Sequence, residues 1–264
     1  MRPGAGVLAA VDIVKRFGGL TAVDAVSLRT VPGEVAALIG PNGAGKTTLF
    51  HCLAGAERPD SGQVLLDGVD ITARTADARA RLGVGRTFQR LAVFPTMTVE
   101  DNLRVGAENR TEARGFVRVG GLLLGILGLF VADDERHRRR VEEVLELLEL
   151  QDVRDAPAGS LPTGTLRLVE LGRALCHDPS VLLLDEPASG LDTAGTRHLQ
   201  RVIRSIAASG VAVLLVEHDV ELVFDVADRV FAMAEGRLIA AGSPAEVRAD
   251  PAVLDVYLDV ESTA

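Results

Sequence analysis

Cysteine and lysine are almost missing from this chain of 264 residues. The two cysteines, Cys52 and Cys176, are too few for a disulfide framework, and a reducing compartment suits them better. No His/Cys cluster suggests a structural metal. No run of about 18 to 20 apolar residues occurs, so no transmembrane helix is expected. The nearest approach, Val117 to Ala132, is short, Gly-rich and broken by Arg118. The Gly-rich piece around Gly120 to Phe130 is expected to serve in core or local packing, with an interfacial segment or a partner contact as the alternatives. The N-terminus has no long apolar stretch followed by a cleavage site, so it does not read as a secretory signal. The net charge is −9, from 28 Lys+Arg and 37 Asp+Glu, which disfavours nucleic acid as the main partner. Hydrophobic residues at 47% and charged residues at 25% argue against disorder. The length suits one large domain, or one domain with a modest second lobe.

The basic residues are nearly all Arg; Lys15 and Lys46 are the only lysines. Against such a bias, a lysine retained at Lys46 points to a need for its ammonium. Val7 to Ile13 and Ala22 to Leu28 read as β-like segments around the turn Gly18-Gly19. Glu34 to Ile39, Val181 to Leu184 and Val211 to Val216 are short apolar runs, as buried strands of a parallel sheet require. Helices are expected from Lys46 to Ala54 and over Thr196 to Ala208. Arg58 to Ile71 reads strand-turn-strand. From Thr98 to Leu150 the pattern is mainly helical. Val141, Val144, Leu145, Leu147 and Leu148 share one face there, opposite Glu142, Glu143, Glu146 and Glu149. The expected fold is α/β, with a mostly parallel sheet core, an N-terminal antiparallel β part and an inserted α-helical subdomain. The expected division is 1–88 and 160–235 for the core, 89–159 for the helical insert, and 236–264 for a C-terminal hairpin and helix.

Gly40-Pro41-Asn42-Gly43-Ala44-Gly45-Lys46-Thr47 fits G-x-x-x-x-G-K-[ST] between an apolar strand and a helix, with Thr48 next in line. Glycines let a backbone wrap phosphates and aim N–H groups inward. The following helix adds its positive end. Lys46 supplies a point charge to β- and γ-phosphates, and Thr47 a hydroxyl for Mg²⁺. The second signal is Val181-Leu182-Leu183-Leu184-Asp185-Glu186. A buried strand there delivers two carboxylates at its C-terminal end, where α/β sheets place ligands. Asp185 suits Mg²⁺ through water, and Glu186 suits polarising an attacking water.

With the pieces between and after these motifs, the chain resembles an ATP-binding cassette (ABC) ATPase, a P-loop NTPase, over nearly its whole length. Gln89, in Thr87-Phe88-Gln89, resembles the glutamine that touches Mg²⁺ and couples to a transmembrane partner. Ser189-Gly190-Leu191-Asp192 resembles the D-loop, and His218 in Glu217-His218-Asp219 the switch histidine that reads the γ-phosphate. Phe17 resembles the aromatic that stacks on adenine. The resemblance implies ATP with Mg²⁺, the metal held by Thr47, Gln89 and Asp185, partly through water. It implies catalysis by Glu186, His218 and Lys46, and a sandwich dimer with a second cassette, identical or paralogous.

One element departs from the family. Its signature is usually Leu-Ser-Gly-Gly-Gln, whereas this chain has Leu161-Pro162-Thr163-Gly164-Thr165, with a helix expected from Leu166 to Leu175. Pro162 has neither hydroxyl nor N–H. Gly164 still permits close backbone approach to the ATP of the opposite subunit.

Lys15-Arg16-Phe17-Gly18-Gly19-Leu20, Asp185-Glu186-Pro187-Ala188-Ser189-Gly190-Leu191, Gly242-Ser243-Pro244-Ala245-Glu246-Val247 and Tyr257-Leu258 resemble cassettes of branched-chain amino acid importers. Urea, short-chain amide and lipopolysaccharide-export cassettes share much of this. The resemblance implies a peripheral subunit on the cytoplasmic face, bound to separate membrane subunits and acting indirectly with an extracytoplasmic binding protein. A regulatory cassette that hardly hydrolyses ATP is an alternative. A soluble cassette of translation or DNA repair is disfavoured, because those usually carry two cassettes or a long coiled-coil insertion.

Overall fold

The computed structural model describes residues 6–87, 91–108 and 124–261. The chain divides into two compact units. The first holds Met1–Gln89, Ser180–Ser189 and Thr193–Ala264; the second holds Arg90–Pro179 and Gly190–Asp192.

Two sheets build the first unit. The antiparallel one runs β2-β1-β4-β5, from β1 (Leu8–Phe17), β2 (Leu20–Thr30), β4 (Ser61–Leu66) and β5 (Val69–Asp70). The other runs β10-β9-β3-β8-β7-β6. Its strands are β3 (Val35–Ile39), β6 (Val84–Arg86), β7 (Val181–Asp185), β8 (Ala212–Val216), β9 (Arg229–Ala234) and β10 (Arg237–Gly242). Its neighbours pair in parallel except for the β9–β10 hairpin. Every residue of β3, β7 and β8 is buried. Strands covered on both faces have no polar side to alternate with, hence their unbroken apolar runs.

Helices α1 (Lys46–Ala54), α2 (Ala76–Arg81), α6 (Thr193–Ala208), α7 (Val220–Val226), α8 (Pro244–Arg248) and α9 (Pro251–Glu261) complete this unit. Helix α1 has the span expected from sequence, and α6 starts one turn earlier than Thr196. Cys52 of α1 is fully buried, and burial pushes its thiol up to about 11. An inert packing residue fits that environment.

The far end of α1 rests on an arginine. Arg79 is almost fully buried, and its guanidinium donates to four backbone carbonyls. Nη1 reaches Cys52 and Leu53 O, both at 2.6 Å; Nη2 reaches Thr72 O at 3.0 Å and Nε reaches Arg74 O at 3.1 Å. The last carbonyls of a helix lack partners within it and carry its negative end. Arg79 answers both needs. Gly55, which ends α1 at φ 77°, leaves room for it: a Cβ there would lie 2.8 Å from Arg79 Nε.

In the second unit, α3 (Val99–Glu108), α4 (Leu124–Leu147) and α5 (Thr163–Cys176) pack together. The expected insert was 89–159. Because α5 packs on α3 and α4, this unit continues to Pro179. Gly172 makes the packing close: a Cβ there would lie 2.3 Å from Leu103 Cδ2 and 2.9 Å from Leu148 Cδ1. Val141, Val144, Leu145 and Leu148 are buried, with Glu142, Glu143, Glu146 and Glu149 outside. Leu147 is only half-buried. Cys176 is buried, its thiol pushed up to about 12 by that burial. Part of Val117 to Ala132 lies outside the described residues; from Leu124 its backbone is helical. Among the described residues no helix is long and apolar enough to cross a membrane.

Replacing Arg79 by Leu removes four hydrogen bonds, among them the one to the buried Leu53 carbonyl at the end of α1. It is expected to lower stability by on the order of 3 kcal/mol. Urea denaturation followed by circular dichroism checks this through the transition midpoint.

Candidate nucleotide site

Strand β3 delivers the chain to Gly40, and the glycine loop then turns into α1. Two carbonyls fix the loop's path. A Cβ at Gly40 would lie 2.2 Å from Met233 O, and one at Gly45 would lie 2.2 Å from Ala22 O. Both positions also have positive φ, 150° and 97°. Gly43 has φ 80° but open space around it. The β9–β10 turn fastens the same region: Gly236 N–H donates to Ala44 O at 3.1 Å and Asp24 N–H to Gly236 O at 2.8 Å. Pro41 is half-buried, Asn42 is exposed and Ala44 is buried.

Lys46 is 5% exposed, and its Nζ donates to Gly40 O at 2.7 Å and Pro41 O at 3.0 Å. Burial pulls its pKa down, opposed by the charges of Glu186 and Asp185. The ammonium thus lies folded back under the loop. Thr47 is exposed and Thr48 half-buried on the first turn of α1. That turn has no side-chain cap and no acidic residue. Its amides and positive end suit an anion.

The acidic pair sits at the end of β7, one strand beyond β8 from β3. Asp185 is 4% exposed, and its N–H donates to Thr87 Oγ1 at 3.3 Å. Burial, then the charge of Glu186, pushes the Asp185 carboxyl up. Glu186 adopts φ 47°, a left-handed conformation that costs a residue with a Cβ about 1–2 kcal/mol. Its N–H is held by Val216 O at 2.9 Å. Its Oε1 lies 2.6 Å from Nε2 of His218, which follows β8. An ionised carboxylate only accepts, so Nε2 carries the hydrogen. Asp219 then caps α7 through Leu222 N–H at 3.1 Å.

The structure therefore brings Gly40, Lys46, Asp185, Glu186 and His218 to the same ends of neighbouring parallel strands. Phe17 ends β1 and is 48% exposed, with Lys15 Nζ 5.2 Å from its ring centroid. An exposed ring face is what stacking on a base needs. Gln89 lies outside the described residues. Gly164 belongs to the second unit. There the signature stretch is no simple loop before a helix. Helix α5 already starts at Thr163, so Thr163, Gly164 and Thr165 form its first turn and Pro162 its N-cap, without a side-chain cap. Proline holds φ near its observed −58°, ψ 152° makes Pro162 an extended residue leading into the helix, and its missing N–H costs nothing there.

A glycine loop and lysine opening a helix, beside an acidic pair on a parallel sheet, define a P-loop ATPase fold. The chain belongs to the ABC transporter family, whose model matches residues 23–189. A second model, described as branched-chain amino acid ATP-binding cassette transporter, matches residues 237–258. The lipopolysaccharide export system ATP-binding protein LptB of Acidithiobacillus ferridurans is 36% identical over 96% of this chain and 96% of its own length. The high-affinity branched-chain amino acid transport ATP-binding protein LivG of Escherichia coli (strain K12) is 36% identical over 93% of this chain and 95% of its own. A crystal structure of an ATP-binding cassette of an ABC transporter in its ADP conformation superposes with TM-score 0.78 at 30% identity. It covers 96% of this chain and 98% of the other. The chain is an ABC transporter ATP-binding subunit, an ATPase that works with transmembrane subunits.

Sequence reasoning passed over Thr87, Arg79 and Glu217. Each is buried and bonded to backbone; Thr87 and Glu217 stand inside the motifs of Gln89 and His218, but their backbone partners lie in distant segments that the sequence does not mark.

Gly45→Ala forces the loop off Ala22, and ATP affinity is expected to fall by roughly 100-fold or more. Gly43→Ala adds only conformational strain, and the loss stays within about 10-fold. Titration with a fluorescent ATP analogue separates the two.

Proposed function

We propose that this subunit powers import of branched-chain amino acids, or of a related small polar solute, from the cytoplasmic face of the membrane. The match of residues 237–258 supports the substrate class. The observation that carries the catalytic reading is the 2.6 Å approach of His218 Nε2 to Glu186 Oε1 at the strand ends beside Lys46.

ATP lies with its phosphates along Gly40 to Thr48 and its adenine on Phe17. Lys46 swings from the Gly40 and Pro41 carbonyls to the β- and γ-phosphates. Glu186 orients a water and takes its proton as oxygen bonds to the γ-phosphorus; the bond to the bridging oxygen breaks and ADP leaves. His218 holds Glu186 and senses the γ-phosphate. Thr47, Asp185 and Gln89 fit Mg²⁺ by chemistry: all offer hard oxygen donors. Among the described residues no cluster of three His, Cys, Asp or Glu could hold a metal without the nucleotide's own oxygens. Mg²⁺, when bound, neutralises charge on the β- and γ-phosphates.

A second cassette completes the sandwich by placing its signature on this chain's ATP. An extracytoplasmic binding protein delivers the solute to the membrane subunits. Lipopolysaccharide export is the second reading, favoured by the equal 36% identity to LptB. Uptake of radiolabelled leucine into proteoliposomes of the assembled transporter decides between the two.

Pro162 supports an unequal pair of sites. It replaces the serine hydroxyl expected at the partner's γ-phosphate, while this chain's own phosphate loop meets the partner's intact signature. In the assembled transporter Glu186→Gln is expected to cut ATP turnover by about 100-fold or more. The matching change in a paralogous partner costs much less. Equal losses from both changes contradict the asymmetry.

A further inference from the structure

We propose that Glu217 is a positioning residue for ATP hydrolysis, its carboxylate clasping the loop that carries Glu186 to the loop that carries His218. The proposal rests on the reading of Glu186 and His218 as the pair that handles the attacking water.

Glu217 is 5% exposed and follows β8 directly. Its two oxygens serve two different loops. Oε1 accepts the N–H of Ala188 at 2.8 Å, two residues beyond Glu186. Oε2 accepts the N–H of His218 at 3.2 Å. Burying a carboxylate is costly, and burial pushes this one up while the two N–H groups pull it back. Both partners are donors, which suits a group that only accepts. A glutamine in the same place turns an NH₂ towards one of them.

The clasp matters because of what it holds. Glu186 stands at φ 47°, and a strained conformation persists only where its surroundings over-determine it. Val216 O fixes its N–H at 2.9 Å, and its own carbonyl accepts Ser189 N–H at 3.1 Å. Those bonds set the turn. The Ala188–Glu217–His218 link ties the turn, through a side chain, to the backbone of the histidine. The Glu186–His218 bond of 2.6 Å spans the same two loops. Glu217 makes a second, buried link between them.

The test is steady-state ATPase kinetics of the assembled transporter carrying Glu217→Gln, Glu217→Asp, Glu186→Gln or the Glu186→Gln/Glu217→Gln pair. Misplacing a catalytic group by a fraction of an ångström lowers kcat, so Glu217→Gln is expected to lose about 10- to 100-fold in kcat. KM for ATP and the unfolding midpoint should stay close to wild type. Glu217→Asp, which keeps the charge, recovers part of the loss. The double variant is no slower than Glu186→Gln alone, because Glu217 acts through that residue. A wild-type kcat in Glu217→Gln, with Glu186→Gln inactive, overturns the proposal and leaves the reading of Glu186 standing. A wild-type rate in Glu186→Gln overturns that reading itself. Losses that multiply in the double variant, or a KM that rises in step with the fall in kcat, assign Glu217 a general structural role and overturn the proposal. Amide hydrogen exchange of the wild-type chain needs no variant: the clasp predicts slow exchange at Ala188 and His218, and fast exchange at either contradicts it.

Discussion

Burying the Lys46 ammonium is the constraint on which the site depends. Taking a cation out of water costs several kcal/mol unless other groups replace the water. Two carbonyls of its own loop do so, at Gly40 and Pro41. The carboxylates of Asp185 and Glu186 add their charge. The loop can present those carbonyls only by running close under Met233 and Ala22, where any Cβ would collide. The glycines, the lysine and the acidic strand end are therefore one arrangement, and each part loses its purpose without the others.

Around it, buried polar groups act as fasteners between backbone segments. Arg79 gathers four carbonyls behind α1. Glu217 joins two N–H groups behind Glu186 and His218. In the second unit Asn102, fully buried, accepts Phe94 N–H at 2.8 Å and donates to Phe94 O at 3.0 Å and Thr98 O at 2.9 Å. Loops cannot bury their backbone without such partners.

Much of this was legible in the sequence, for local reasons. The phosphate loop is a contiguous stretch whose spacing its chemistry dictates. The strands β3, β7 and β8 are buried on both faces and so read as apolar runs. Lys15, the only lysine besides Lys46, has a local use that its scarcity does not reveal: its Nζ donates to Arg58 O at 2.8 Å and faces Phe17. Arg79 was not legible. It sits in an arginine-rich run with Arg74 and Arg81, like any solvated charge, and its partners are carbonyls from distant segments. Glu217 stood in view beside His218, but its partner Ala188 N–H lies 29 residues away in the chain and no spacing points to it. The start of α5 was missed because Pro162 looks like a breaker, whereas its fixed φ suits the residue that leads into a helix. The packing of α5 on α3 and α4 was not legible either, because no composition change marks it.

The most direct test of the account is calorimetric titration of ATP into the wild-type chain and into Lys46→Ala, with unfolding midpoints measured on both. A buried ammonium held for phosphate predicts that Lys46→Ala loses affinity by about 100-fold or more while its unfolding midpoint is kept. Undiminished ATP affinity in Lys46→Ala would contradict it.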